Sequence, residues 1–180
     1  MAGTSGSGKS TLARLVGQRT GAVVIDYDVV KTAALDAGVS WDMAGLIGYG
    51  GSRAVADSLL KQGLSVILDS PCRFEQIVIE GTAIAAKHKA TYAFVECILH
   101  DQAELCRRMA ARSRLRSQRI AFNEPPPDAP GDVMADASGK IKIPQTKYPT
   151  TPYLRVDTRQ LLENCLDTVL IYLQTINEES

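Results

Sequence analysis

The sequence predicts an α/β fold in which a doubly wound parallel sheet carries helices on both faces, in a single domain over residues 1–180. Three observations predict it. Short, β-branched apolar runs alternate along the chain with segments of helical periodicity, the signature of strand–helix–strand units. Those runs are continuously apolar, as strands buried on both faces are. A glycine-rich stretch stands directly before the first helical segment.

Each element follows in order. Leu12, Leu15 and Val16 recur at helical spacing after Ser10, which predicts a helix over 9–19. The run AVVID (22–26) is a buried strand. Helices are expected over 29–37 and 49–62, the second stopped by Gly63 after Leu59 and Leu60. LSVILD (64–69) is the next strand, and 73–89 a helix with Ile77, Ile84 and Ala85 facing the core. TYAFVECIL (91–99) is a third strand. Asp101 followed by Glu104 resembles a capping box that opens a helix running into an arginine cluster. YLRVD (153–157) is a fourth strand, and 159–175 a closing amphipathic helix. Residues 117–152 break the rhythm with Pro125, Pro126, Pro127, Pro130, Pro144, Pro149 and Pro152, and predict a long irregular loop or lid over about 112–152.

Composition narrows the function classes. Twenty Lys plus Arg balance twenty Asp plus Glu in 180 residues, so there is no overall basic footprint for nucleic acid. No apolar run approaches the ~20 residues of a membrane span, and no signal-peptide pattern precedes the first motif, so a cytoplasmic protein is expected. Cys72, Cys97, Cys106 and Cys165 form no C-x-x-C pair, and His88 and His100 are near neither each other nor a Cys pair, which favours buried, reduced thiols over a metal site.

The chemistry is concentrated in GTSGSGKS, residues 3–10, which matches G-x-x-x-x-G-K-[ST]. A chance match somewhere in a chain this long has a probability of about 1%. Glycines let successive backbone N–H groups turn inward and approach an anion closely. The helix that follows adds partial positive charge at its N-terminus. Gly3, Thr4, Ser5, Gly6, Ser7, Gly8, Lys9, Ser10 and Thr11 therefore read as a binding site for the phosphates of ATP. Lys9 would reach the β- and γ-phosphates, Ser10 would ligate Mg²⁺, and Thr11 would donate to the α-phosphate. A glycine-rich surface turn is the plainer alternative. Only Met1 and Ala2 precede Gly3, so the central first strand is expected to be truncated and the sheet centre weakened.

From this loop onward the chain resembles the P-loop kinases of the small-molecule and polynucleotide type, the AAA-like ATP-binding proteins. The resemblance runs through VVIDYD, VILDS, RRMAARSRLR and the final VDT. It implies an arginine-bearing lid and ATP-dependent phosphoryl transfer. Asp26 and Asp28 end a buried strand, where open α/β sheets bind ligands. Their D-x-D spacing is similar to the shikimate-kinase pattern, which implies that Asp26 lies on the metal side and that Asp28 is the base for the acceptor hydroxyl. Either could instead cap the next helix. Asp69 has the Walker B position at the end of SVILD and is the third metal candidate, or else forms a turn with Ser70 and Pro71.

Arg107, Arg108, Arg112, Arg114, Arg116 and Arg119 precede the long loop. The resemblance implies that arginines here close over ATP and stabilise charge on the γ-phosphate. Arg112 and Arg116 share a helix face, but so do Arg108 and Arg112, and a solvated basic helix end explains some of the six. Aromatic residues for stacking nucleic acid are absent there until Phe122. On the acceptor side, Tyr27, Trp41, Tyr49 and Arg53 are the groups able to read a substrate, with glycines 45, 48, 50 and 51 allowing movement. Trp41 could equally pack a helix, and Arg53 could pair with Asp57 one turn on. His100 reads as a strand-end residue.

The expected function is transfer of the γ-phosphoryl group of ATP to a hydroxyl of a small-molecule acceptor. Two alternatives stay open: a polynucleotide or nucleoside kinase, and a nucleotide-binding module without phosphotransfer.

Overall fold

The computed structural model describes residues 1–121, 124–130 and 145–178. Its elements are β1 (Ala2–Gly3), α1 (Lys9–Thr20), β2 (Val23–Asp26), α2 (Tyr27–Asp36), α3 (Trp41–Lys61), β3 (Val66–Asp69), α4 (Glu75–Lys87), β4 (Val95–Ile98), α5 (Gln102–Ala111), β5 (Leu154–Asp157) and α6 (Leu162–Glu178). All strand pairs are parallel: β2 with β3, β4 with β5, and β1 with β4. The two halves of the sheet meet at Met1. Its amino group donates to the Leu68 carbonyl at 2.9 Å, and its carbonyl accepts from the Ser70 N–H at 3.2 Å. The spatial order is therefore β2-β3-β1-β4-β5, the doubly wound arrangement expected from the strand–helix alternation.

The first strand is short, as its sequence predicts: only Ala2 and Gly3 pair, opposite Glu96 and Cys97. Beside Met1 a cavity of about 770 Å³ is lined by Val66 and Leu68 of β3, Phe94 and Val95 at β4, and Leu173 of α6.

Both faces of the sheet are covered, as near-continuous apolar strands require. Leu12 and Val16 of α1 and Cys165, Leu166 and Val169 of α6 pack with Val95, Cys97 and Val156. A second cluster joins Ala2, Cys72, Val78 and Phe94. Phe94 and Val95 thus serve opposite clusters, as successive strand residues do. Burying a side chain such as Leu12 or Leu166, 1% and 0% exposed, contributes about 1.5–3 kcal/mol.

Helix boundaries depart from the sequence reading in two places that matter for the site. The first is α2, which starts at Tyr27, directly on the strand end, because Asp26 caps it by accepting from the Asp28 N–H at 2.9 Å. The second is α3, which starts at Trp41 rather than near 49, with the Ser40 hydroxyl accepting from the Met43 N–H. Glycines 45, 48, 50 and 51, expected to permit movement, lie inside this helix. Gly48 shows why: a Cβ there would sit 2.7 Å from Tyr27 Cε2, so glycine lets α2 and α3 approach closely. Between α5 and β5 the described residues contain one isolated bridge, Ala121 with Glu124, and otherwise no regular structure, in keeping with the predicted loop. The expectations for Phe122 and Pro144 lie outside the described residues. Among the described residues no helix is long and apolar enough to cross a membrane.

Candidate nucleotide and acceptor site

The loop between β1 and α1 has the geometry of an anion cradle. Gly8 precedes α1 with φ 84°, a conformation that L side chains rarely adopt. A Cβ on Gly3 would lie 2.4 Å from the Cys97 carbonyl oxygen, so only glycine lets the chain leave the sheet here. The Ser7 N–H donates to the Thr4 carbonyl at 3.2 Å and closes the turn. Ser7 is fully buried and its hydroxyl has no hydrogen-bond partner among the described residues. Lys9 is 8% exposed at the first position of α1 and its ammonium faces no carboxylate in an ion pair there. A buried, unneutralised ammonium beside convergent N–H groups is suited to phosphate. Ser10 follows it, half-buried, and Thr11 is exposed.

Asp26 and Asp69 stand side by side, register partners at the ends of β2 and β3. Asp69 is 3% exposed and its Oδ1 has no hydrogen-bond partner among the described residues. Burial raises the Asp26 carboxyl above its ordinary range, and the charges of Asp69 and Asp28 push it the same way. Arg14 pairs with it at 3.5 Å. Two juxtaposed carboxylates with an orphaned oxygen fit a hard divalent cation that takes oxygen ligands. The described residues contain no group of three or more His, Cys, Asp or Glu able to hold a metal by themselves. A cation here would need the Ser10 hydroxyl and ligand oxygens as well.

Asp28, on the first turn of α2, is oriented from the far side. Gln118 Nε2 donates to its Oδ2 at 2.9 Å, and the Ser117 hydroxyl donates to its backbone carbonyl at 3.0 Å. Ser117 also bonds the Thr32 hydroxyl, so the segment after α5 is clasped to α2.

The arginines separate into distinct environments. Arg112 ends α5 half-buried near the Asp28 charge; its Nη2 donates to the Arg119 carbonyl at 3.3 Å and its Nε is buried without a partner. Burial holds its guanidinium below the ordinary value. Arg116 is saturated, with two bonds to Asp128 at 2.8 Å, one to Asp36 at 3.1 Å and one to the Leu35 carbonyl at 2.9 Å. It therefore does not share a helix face with Arg112, since α5 stops at Ala111. Arg108 lies beside the loop: a Cβ on Gly8 would meet its Nη1 at 3.5 Å. Thr158 and Glu104 hold it there. The arginine count signalled such a residue, but the fold was needed to choose Arg108.

On the acceptor side, Tyr27 stacks near Tyr49 with ring centroids 4.2 Å apart, and Tyr49 meets Phe74 edge-on at 5.7 Å. Trp41 packs against the cluster of Ala34, Leu35 and Ala44 and carries the Lys31 ammonium over its ring at 3.2 Å. Arg53 is paired with Glu80 of α4, not with Asp57, which binds Lys87 and His88. Lys31 and Arg73 belong to this neighbourhood and were not singled out from sequence. The signal was present for Lys31: Tyr27, Lys31, Ala34 and Leu35 form one buried helical stripe with a lysine in it.

The four cysteines form no disulfide; Cys72, Cys97 and Cys165 are buried as expected, whereas Cys106 on α5 is exposed. Burial pushes the Cys97 thiol up to about 12.

A strand-end carboxylate pair facing a glycine cradle on a doubly wound sheet defines a P-loop nucleotide-binding protein of the kinase-like kind. The chain belongs to the AAA domain family, which matches residues 1–125. Its fold is also that of several solved kinases. The APS kinase of Mycobacterium tuberculosis, in complex with AMPPNP and APS, superposes with a TM-score of 0.64 at 21% identity, covering 96% of this chain and 94% of that one. A sugar kinase from Janibacter gives 0.62 at 17%, covering 96% and 91%. A gluconokinase from Sinorhizobium meliloti gives 0.57 at 17%, covering 99% and 91%. No curated protein matches the chain by sequence.

Proposed function

We propose that the protein is an ATP-dependent phosphotransferase that moves the γ-phosphoryl group of ATP to a hydroxyl of a small-molecule acceptor. One observation carries the reading: the phosphate cradle at residues 3–11 and the Asp26–Asp69 pair stand at the same strand ends as Asp28, which the Gln118 amide holds in a fixed orientation. Solved kinases of the same fold, one of them bound to an ATP analogue, support it.

In this reading the N–H groups of the loop and the Lys9 ammonium bind the β- and γ-phosphates. Asp26, Asp69 and Ser10 would hold Mg²⁺, which when bound neutralises charge on the phosphate oxygens. Asp28 accepts the proton of the acceptor hydroxyl as its oxygen forms a bond to the γ-phosphorus. The bond from that phosphorus to the β–γ bridging oxygen breaks, and ADP leaves with the electron pair. Arg112 and Arg108 supply guanidinium donors for charge on the transferring group. Arg116 serves instead to tie the loop segment to α2. Trp41 and Arg53 act on the acceptor indirectly, Trp41 by carrying Lys31 and Arg53 by bracing α3 against α4.

Single-turnover measurement tests the scheme. Lys9→Ala is expected to lower turnover at least a hundredfold, and Asp28→Asn to lower it similarly while AMPPNP affinity changes less than threefold. Acceptor-dependent ADP release at the normal rate in Asp28→Asn would remove the carboxylate from its role.

A further inference from the structure

Next to Asp28 the protein gathers more positive charge than it neutralises. Lys31 on α2 is 6% exposed and makes no ion pair among the described residues; its ammonium lies over Trp41, and a Cβ on Gly45 would come within 3.9 Å of it. Arg73, half-buried just before α4, has no side-chain hydrogen bond or ion pair among the described residues. Phe74, next to Arg73, packs edge-on against the Tyr49 ring, which leads through Tyr27 back to α2. Arg112 adds a buried guanidinium Nε without a hydrogen-bond partner among the described residues. The charges feel one another: Arg73 acts on Lys31 and on Arg119, and Asp28 acts on Lys31 and on Arg112. Asp42 is the other carboxylate whose charge reaches Lys31. Burying like charges together is unfavourable unless an anion joins them.

Resting on the phosphotransferase reading, we infer that the acceptor is itself anionic: a hydroxyl compound whose phosphate, sulfate or carboxylate group binds among Lys31, Arg73 and Arg112 while its hydroxyl meets Asp28. Lys31 supplies a compact point charge and the arginines planar forks, a combination suited to an oxyanion. The Tyr27 and Tyr49 rings, with centroids 4.2 Å apart, stand on the α2 side of these cations. A neutral polyol would leave these cations uncompensated, so charge on the acceptor becomes the main determinant of selectivity.

The test uses the full chain saturated with AMPPNP and Mg²⁺, so that the phosphate loop is filled, and isothermal titration at constant ionic strength with sulfate and, separately, with acetate. At least one of the two anions is expected to bind with a Kd in the low millimolar range or tighter, and the tighter one names the group. Lys31→Met and Arg73→Gln should each weaken that binding about tenfold or more, with AMPPNP affinity unchanged as the check on folding; Arg159→Gln, on a cation paired with Asp157 away from this cluster, should leave it unchanged. Binding of neither anion, or anion binding that survives both variants, overturns the inference while leaving the phosphotransferase reading intact. Failure of AMPPNP to bind overturns the reading and the inference together.

Discussion

Replacing Lys31 by methionine should make the protein more stable at neutral pH. The side chain is 6% exposed, and burial, aided by the Arg73 charge, pulls its ammonium down to about 8 from an ordinary 10.5. Each unit of such a shift corresponds to ~1.36 kcal/mol, so holding the proton in the folded state costs about 3 kcal/mol. The contact with Trp41 offsets ~0.5–2 kcal/mol of that, and methionine keeps the stem packed. A net gain of about 1–2 kcal/mol at pH 7 follows, or ~2–8 °C in Tm for a chain of this length. The sign with pH is fixed by linkage. Between about 8 and 10.5 the unfolded chain holds the Lys31 proton and the folded chain does not, so the wild type gains stability as pH rises through that window. The advantage of Lys31→Met is therefore complete below about 8 and vanishes above 10.5. Paired thermal melts from pH 7 to 10.5 isolate the effect, because every other group titrates alike in both proteins. A gap that stays constant with pH, or a methionine variant less stable than wild type at pH 7, would show that Lys31 carries no buried charge.

Two further outcomes are expected. Gly3→Ala would drive a Cβ to 2.4 Å from the Cys97 carbonyl at a backbone φ of 136°, so it should lower stability by ~2–4 kcal/mol and abolish AMPPNP binding; an unchanged melt would show that the loop can leave the sheet another way. Arg116→Ala removes partly exposed contacts, so the melting temperature should hardly move, while limited proteolysis between 112 and 130 should accelerate markedly; equal cleavage rates would show that Asp36 and Asp128 do not anchor the segment.

Much of this architecture could be read from local sequence. The strands were legible because VVI of β2 and VIL of β3 are short β-branched apolar runs, and because Val95 and Cys97 of β4 are buried on either side of Glu96. The phosphate loop was legible for a different reason: its glycines answer to backbone conformation, which leaves a fixed spacing in the sequence. The first half of α3 was not legible. Gly45, Gly48, Gly50 and Gly51 argue against a helix by propensity, and only the closeness of Tyr27 shows what Gly48 is for. Choosing among the arginines also depended on distant partners. Arg116 is consumed by Asp36 and Asp128, Arg108 is placed by Thr158, fifty residues on, and neither relation leaves a trace near the cluster. Arg53 was weighed against Asp57, one turn away, whereas the partner that holds it, Glu80, lies on another helix.

The clasp between the segment following α5 and α2 has a consequence for activity. Ser117 grips Thr32 and the Asp28 backbone, and Gln118 aims the Asp28 carboxylate. The peptide after α5 is thus also the one that gives the proposed proton acceptor its bearing. Should this peptide swing outward, the Asp28 carboxylate would lose the Gln118 amide and with it its aim, so competence for the proposed transfer would hang on one short stretch of chain.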